Sequence, residues 1–173
     1  MSVLITVPHG YCEQACSEGR QCDCTAAQWA RRLFQKLKAL NIPSDLFVAT
    51  TPRSELDLNR PWSRQSHFRL AASEAMQRAW LVLDIHSYPP PHWADHNAVI
   101  LDDRRPTPQS ALVFSAATGI PLDPNGLNND IQDEAHASGK QAFLIEFNEQ
   151  GNSAVQSGYI DAIVVWIQSQ RPR

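Results

Sequence analysis

The chain has 173 residues, of which 43% are hydrophobic, and its formal net charge at pH 7 is −3. This length favours a single domain over residues 1–173 that can bury a sizeable core without covalent or metal cross-links. The nearly balanced charge offers no basic surface for nucleic acid. No apolar segment approaches the ~20 residues that a membrane-spanning helix needs. We therefore expect neither a nucleic-acid nor a membrane partner.

Short apolar segments alternate with segments of helical periodicity along the chain. An apolar run bounded by breakers such as Pro8 predicts a strand buried on both faces, whereas apolar residues every three or four positions, as after Thr25, predict a helix. The sequence predicts, in order, a strand at 3–7, a helix at 25–40, a strand at 46–49, a polar loop at 50–64, a helix at 65–79, strands at 80–88 and 98–101, a helix at 108–118, a polar stretch at 121–140, a strand at 142–147 and a helix at 153–168. This alternation predicts an α/β fold, a three-layer α/β/α sandwich with a parallel or mixed sheet. The polar stretch at 121–140 is long for a connection without secondary structure, which indicates a functional role.

Three of the predicted strands end in, or contain, a side chain suited to metal chemistry. His9 follows the first strand, His86 lies at the end of the strand at 80–88, and Glu146 lies within the last strand. Because ligands of open α/β sheets bind at the carboxyl ends of the strands, we expect these residues to converge. Two histidines and a nearby carboxylate such as Glu13 would form a catalytic zinc site with an open fourth position. Glu146 could then accept a proton from water, and a partner must offset the cost of burying its charge.

Plainer interpretations of the same residues remain open at this point. A histidine after a strand is often an ordinary loop residue, and Glu146 could be a buried partner of Arg53 or Arg60. Arg60 lies in a polar loop, where a guanidinium can bind a substrate carboxylate through two parallel hydrogen bonds. The commoner role of an arginine in such a loop is that of a solvated charge.

The N-terminus and the cysteines concern the cellular compartment of the protein and its redox state. The first eight residues lack the basic and long apolar segments of a secretory signal, so we expect a cytoplasmic protein. A reducing compartment disfavours structural disulfides. Four thiolates could hold a structural zinc ion, but their spacing departs from the usual paired pattern. We therefore predict ordinary loop cysteines at Cys12, Cys16, Cys22 and Cys24.

Four short motifs, taken together and in order, resemble a known family. They are His9-Gly, Asp57-Leu-Asn-Arg-Pro, Asp84-Ile-His-Ser-Tyr and Ile145-Glu-Phe-Asn. This set resembles the N-formylglutamate amidohydrolase family and, more distantly, the zinc carboxypeptidases, which share a Zn-exopeptidase-like α/β/α fold.

The resemblance implies a role for several residues. It places His86 on Zn²⁺, Glu146 as general base, and Asn59 and Arg60 at the substrate carboxylate. Tyr88 of the His-Ser-Tyr motif and Arg53 complete the substrate-binding candidates. We expect a zinc-dependent amidohydrolase that cleaves an N-acyl amino acid or short peptide beside a free carboxylate. The alternatives are a zinc carboxypeptidase and a non-catalytic module that binds an amino-acid or peptide carboxylate.

The first motif departs from the carboxypeptidase pattern. That pattern places a glutamate ligand three residues after the first histidine, where this chain has Cys12. Glu13 lies one residue further on, and a loop can absorb this shift. We therefore predict His9, Glu13 and His86 as the metal ligands, with Cys12 and Asp23 as alternatives to Glu13.

Overall fold

A computed structural model describes residues 1–12, 22–89, 93, 95–102, 104–125 and 129–172. In chain order, these residues form β1 (Ser2–Val7), α1 (Ala26–Ala39), β2 (Ser44–Val48), a 3-10 helix (Pro61–Ser63), α2 (His67–Arg78), β3 (Ala79–Tyr88), β4 (Ala98–Leu101), α3 (Gln109–Thr118), β5 (Leu122–Asp123), α4 (Asp130–Ala137), β6 (Gln141–Asn148) and α5 (Ser153–Gln170). Among these residues, no helix is both long and apolar enough to cross a membrane.

The six strands form one mixed sheet in the order β2-β1-β3-β6-β4-β5. The four neighbouring strands β2, β1, β3 and β6 run parallel to one another. Strand β4 runs antiparallel to β6, and β5 runs parallel to β4. The carboxyl ends of β1, β3 and β6 therefore meet at the same edge. This arrangement confirms the predicted α/β fold with a mixed sheet.

Helices cover both faces of the sheet. On one face, α1, α3 and α5 pack against the larger apolar core, in which the rings of Phe114 and Phe143 stack with centroids 4.1 Å apart. On the other face, α2 and α4 pack against a smaller core that includes Leu4, Val82 and Ala142. Strands buried on both sides need apolar residues at successive positions, which explains the continuous apolar runs of the sequence.

The face covered by α2 and α4 changes from apolar to polar along the strands. On β3, Val82 is followed two residues later by Asp84 and then by His86. Thr6 of β1 is paired with Asp84, and Glu146 of β6 is paired with His86. Because paired residues of neighbouring strands point to the same face, these polar side chains gather at the carboxyl end of the sheet.

The prediction of a continuous polar stretch at 121–140 is wrong in part. This region contains β5 and α4, and Asn129 caps α4 by accepting hydrogen bonds from the amides of Ile131 and Gln132. The eight residues of α4 include only Ile131 and Ala135 as buried apolar residues, too few to show helical periodicity.

Candidate active site

Two histidines and one aspartate meet where β1 and β3 end. The ligand atoms of His9, Asp23 and His86 all lie within 4.8 Å of one another, and the three residues are buried. Nδ1 of His86 lies 2.7 Å from Oδ2 of Asp23, and Nδ1 of His9 lies 3.6 Å from the same oxygen. Both imidazoles thus direct Nδ1 towards one carboxylate, which is the third member of the cluster.

The other nitrogen of each imidazole faces a different carboxylate. Nε2 of His9 lies 2.8 Å from Oδ1 of Asp57, and Nε2 of His86 lies 3.1 Å from Oδ2 of Asp84. Histidines that bind metals usually donate their second N–H in this way, which fixes the ring and leaves the first nitrogen free as a ligand. The donor set therefore fits a metal held at the two Nδ1 atoms and Asp23.

Two carboxylates, those of Asp23 and Asp84, flank His86 and control its protonation. Burial alone would lower the pKa of His86, but the charges of Asp84 and Asp23 outweigh it and raise this pKa well above its ordinary value. Burial alone would likewise raise the pKa of Asp23, yet His86 and His9 hold it well below its usual range. A proton on His86 thus supplies positive charge between two carboxylates, and a divalent cation would supply more.

Two buried amides complete the surroundings of His86. Nδ2 of Asn129 donates to Oδ2 of Asp84 at 2.7 Å and lies 3.5 Å from Nε2 of His86. Nδ2 of Asn59 lies 3.4 Å from the same imidazole nitrogen, and its Oδ1 accepts a hydrogen bond from the amide of Ile131. Asn59, predicted to bind the substrate carboxylate, is thus placed against His86, and Asn129 is a site residue that the sequence analysis did not identify.

Glu146 lies beside His86 on the neighbouring strand and is partly exposed. Within the described part of the chain, its carboxylate takes part in no hydrogen bond. Removal from bulk water raises the pKa of Glu146 to about 7; the Asp23 charge adds to this rise, and His86 and His9 oppose it. A carboxyl group with this pKa can both accept and release a proton near neutral pH.

Arg53 and Arg60 form ion pairs with Asp57 and not with Glu146. Nε of Arg53 is 3.2 Å from Oδ2 of Asp57, and Nε of Arg60 is 3.6 Å from the same oxygen. Both arginine side chains are about a third exposed, at 35% and 36%. The alternative in which Glu146 is their buried partner is therefore wrong. Asp57 connects the two guanidinium groups to His9.

Tyr88 is buried two residues beyond His86. Its hydroxyl donates to the backbone carbonyl of His96 at 2.7 Å, and its ring packs edge-on against Trp93. Burial raises the pKa of Tyr88 to about 12, and the charge of Glu146 contributes to this rise. The hydroxyl is thus bound to backbone. Whether Tyr88 also contacts substrate stays a prediction, as do the substrate contacts of Asn59, Arg60 and Arg53.

The third metal ligand was predicted as Glu13, which lies outside the described residues. Asp23, one of the alternatives, is the carboxylate that meets both histidines. The prediction of unpaired loop cysteines is wrong, because Cys12 and Cys22 form a disulfide and Cys24 is also disulfide-bonded. The disulfide joins the residue before Asp23 to a residue shortly after His9, so it holds these two parts of the site together.

No model of a known protein family matches this chain, and no curated protein matches its sequence. Solved structures nevertheless share its fold. N-formylglutamate amidohydrolase from Ralstonia eutropha JMP134 is 14% identical with a TM-score of 0.63, and the match covers 98% of this chain and 94% of that one. The CwlD amidase from Clostridioides difficile, in complex with the GerS lipoprotein, is 10% identical with a TM-score of 0.63, covering 97% and 96%. The catalytic domain of CwlV, an N-acetylmuramoyl-L-alanine amidase from Bacillus (Paenibacillus) polymyxa, is 15% identical with a TM-score of 0.54, covering 98% and 97%. The resemblance to N-formylglutamate amidohydrolase is thus confirmed at the level of the fold.

Proposed function

We propose that this chain is a single zinc-hydrolase domain, a zinc-dependent amidohydrolase that cleaves an N-acyl amino acid or short peptide beside a free carboxylate. The observation that carries the proposal is the orientation of the two histidines. His9 and His86 turn Nδ1 towards Asp23, while Asp57 and Asp84 hold the Nε2 atoms. The fold shared with two amidases and an amidohydrolase supports an activity on amide bonds.

The residues that would hold zinc are His9, Asp23 and His86. Three protein ligands of nitrogen and oxygen type are the usual set at catalytic zinc, which keeps a further position open. When bound, zinc polarises a substrate carbonyl and lowers the pKa of water towards ~7.

Glu146 acts as the general base in this proposal. Its carboxylate lies on the same face of the sheet as His86 and takes the proton from the attacking water. The pKa of about 7 then allows Glu146 to pass this proton to the nitrogen of the leaving amine. A carboxyl group that can accept and release a proton near neutral pH supports catalysis over binding alone.

Arg60, with Arg53 beside it, binds the free carboxylate of the substrate. The two guanidinium groups share one carboxylate, that of Asp57, so their positive charge exceeds that of their ion-pair partner among the described residues. A partly exposed guanidinium can bind a carboxylate through two parallel hydrogen bonds. Because Asp57 also holds His9, the substrate would be oriented relative to the metal ligands, and orientation of this kind raises the rate.

The experiment that tests the proposal compares the zinc-loaded wild type with Glu146→Gln on a panel of N-acyl amino acids and short peptides. We expect wild-type hydrolysis of at least one free-carboxylate substrate and a loss of roughly 10²–10⁴-fold in Glu146→Gln, the usual contribution of a general base. The variant should keep its zinc. Glu55→Gln, which changes an exposed loop acid, is the matched control and should keep full activity.

Two outcomes contradict the proposal. Equal activity of Glu146→Gln and the wild type would remove Glu146 as the base. A wild type that binds zinc and carboxylate but hydrolyses nothing on the panel would instead support the non-catalytic binding module.

A further inference from the structure

Asp23 reaches the site in a different way from the two histidines. His86 lies on β3 and His9 follows β1 closely, so the sheet positions both imidazoles. Asp23 lies in the segment before α1, outside any helix or strand. Disulfides at Cys22 and Cys24, on either side of Asp23, tether this segment, and its hydrogen bonds to the strands then set where the Asp23 carboxylate lies.

Three consecutive backbone amides of this segment are held in place. The amide of Asp23 donates to the carbonyl of His9 at 3.0 Å. The amide of Cys24 donates to Oε1 of Glu149 at 2.9 Å, and the amide of Thr25 donates to Oγ of Ser87 at 3.2 Å. The hydroxyl of Ser87 in turn donates to Oε1 of Glu149 at 2.8 Å. One carboxylate oxygen thus accepts hydrogen bonds from both the segment and β3.

The anchors belong to the strands that carry the rest of the site. Ser87 directly follows His86 on β3. Glu149 directly follows β6, and its own amide donates to the carbonyl of Tyr88 at 3.1 Å. These hydrogen bonds therefore fix the Asp23 segment to the strands that carry His86 and Glu146.

We propose that Glu149, acting with Ser87, is the positioning residue that sets the Asp23 carboxylate against His86 and so determines metal affinity. This inference rests on the proposed zinc site. Removing the Glu149 carboxylate leaves the Cys24 amide and the Ser87 hydroxyl without their shared acceptor. The segment stays tethered near His9 by the Cys12–Cys22 disulfide, but it can then shift relative to β3, and the Asp23 carboxylate shifts with it.

The test compares Glu149→Ala with Glu149→Gln. Loss of a residue that orients a metal ligand typically costs about 10–100-fold in metal affinity, so we expect the zinc Kd of Glu149→Ala to rise by about this factor. Glu149→Gln keeps a carbonyl oxygen that can accept both hydrogen bonds, and should restore most of the affinity. Hydrogen exchange of the Cys24 and Thr25 amides in the metal-free protein should be faster in Glu149→Ala only.

Ser73→Ala is the control for a general loss of stability. The Ser73 hydroxyl donates to Glu134 between α2 and α4, away from the Asp23 segment. This variant should lower Tm and leave the zinc Kd unchanged. If Glu149→Ala does not fold, Ser87→Ala replaces it, because it removes the acceptor of the Thr25 amide and should raise the zinc Kd about tenfold.

The inference is overturned if the wild type binds zinc and Glu149→Ala binds it with the same Kd. Where Ser87→Ala replaces Glu149→Ala, the same comparison applies to Ser87→Ala. An equal rise in Kd for the positioning variant and Ser73→Ala would also overturn it, because the effect would then follow stability alone. A wild type that binds no zinc overturns the proposed function itself, which distinguishes the two failures.

Discussion

Asp84→Asn removes one negative charge from beside His86 and keeps the size of the side chain. Oδ2 of Asp84 accepts a hydrogen bond from Asn129 and faces Nε2 of His86, whereas Oδ1 accepts the hydroxyl of Thr6 at 2.6 Å. An asparagine can place its carbonyl oxygen at the Oδ2 position. Its NH₂ group then faces Thr6, whose hydroxyl can turn and accept. The substitution therefore tests the charge and not the packing.

The expected effect follows from the hydrogen bond to His86. A hydrogen bond to a charged group contributes about 1.5–3 kcal/mol and a neutral one about 0.5–1.5 kcal/mol. The difference, about 1–1.5 kcal/mol, corresponds to about a tenfold change in an equilibrium constant. Substitution of a residue that orients a metal-binding histidine lowers the metal affinity by about 10–100-fold. Because the Asp84 charge also stabilises the proton that competes with zinc for His86, the comparison is made at a pH where His86 is already neutral, and there we expect the zinc Kd of Asp84→Asn to rise at least tenfold.

The assay is competition for zinc with a chromophoric chelator, run beside a matched control. Asp102 is also a fully buried aspartate, but it follows β4 and pairs with Arg104 through hydrogen bonds of 2.9 and 2.6 Å. Asp102→Asn should lower Tm and leave the zinc Kd unchanged. Wild-type zinc binding by Asp84→Asn, or equal weakening in both variants, would refute the role assigned to Asp84.

Three further predictions concern the substrate, the proton and the third ligand. Arg60→Lys keeps the charge but loses the paired hydrogen bonds, so kcat/KM on a free-carboxylate substrate should fall roughly ten- to a hundredfold; unchanged kinetics would make Arg60 a solvated charge. The pKa of His86 lies well above 6.5, so zinc must displace a proton from His86 in neutral solution. The apparent zinc affinity should therefore keep rising by about tenfold per pH unit above pH 6.5 until the pKa of His86 is passed, whereas a plateau already at pH 6.5 would contradict this. Asp23→Ala should abolish tight zinc binding and Glu13→Ala should leave it unchanged, and the reverse result would restore Glu13 as the ligand.

The parts of the fold that could be predicted are those determined by burial along the chain. Strands β1, β3 and β6 are buried on both faces, so each of them appears in the sequence as a run of apolar residues. Because such strands run parallel, the residues at their carboxyl ends meet, and His86 and Glu146 are indeed paired. Helix α4 was missed because it is short and largely polar. Its N-terminal Asn129 reaches Asp84, 45 residues earlier in the chain.

The parts of the site that could not be predicted depend on long-range contacts of loops. Asp23 lies 63 positions before His86, and Asp57 lies 48 positions after His9. Loop residues have no periodicity that reveals which face or which partner they meet. The pairing of Cys12 with Cys22 was not predicted because the connectivity of cysteines does not follow from sequence alone. The expectation of unpaired cysteines rested instead on an inferred compartment.

Zinc content tests the central proposal most directly. Elemental analysis of wild-type protein that has never been exposed to a chelator should find one zinc ion per chain. The double variant His9→Ala, His86→Ala should hold one zinc fewer, because it loses both imidazole ligands, while Asp102→Asn should match the wild type. Absence of zinc from the wild type, or equal zinc in the wild type and the double variant, would contradict the assignment of this site as a zinc centre.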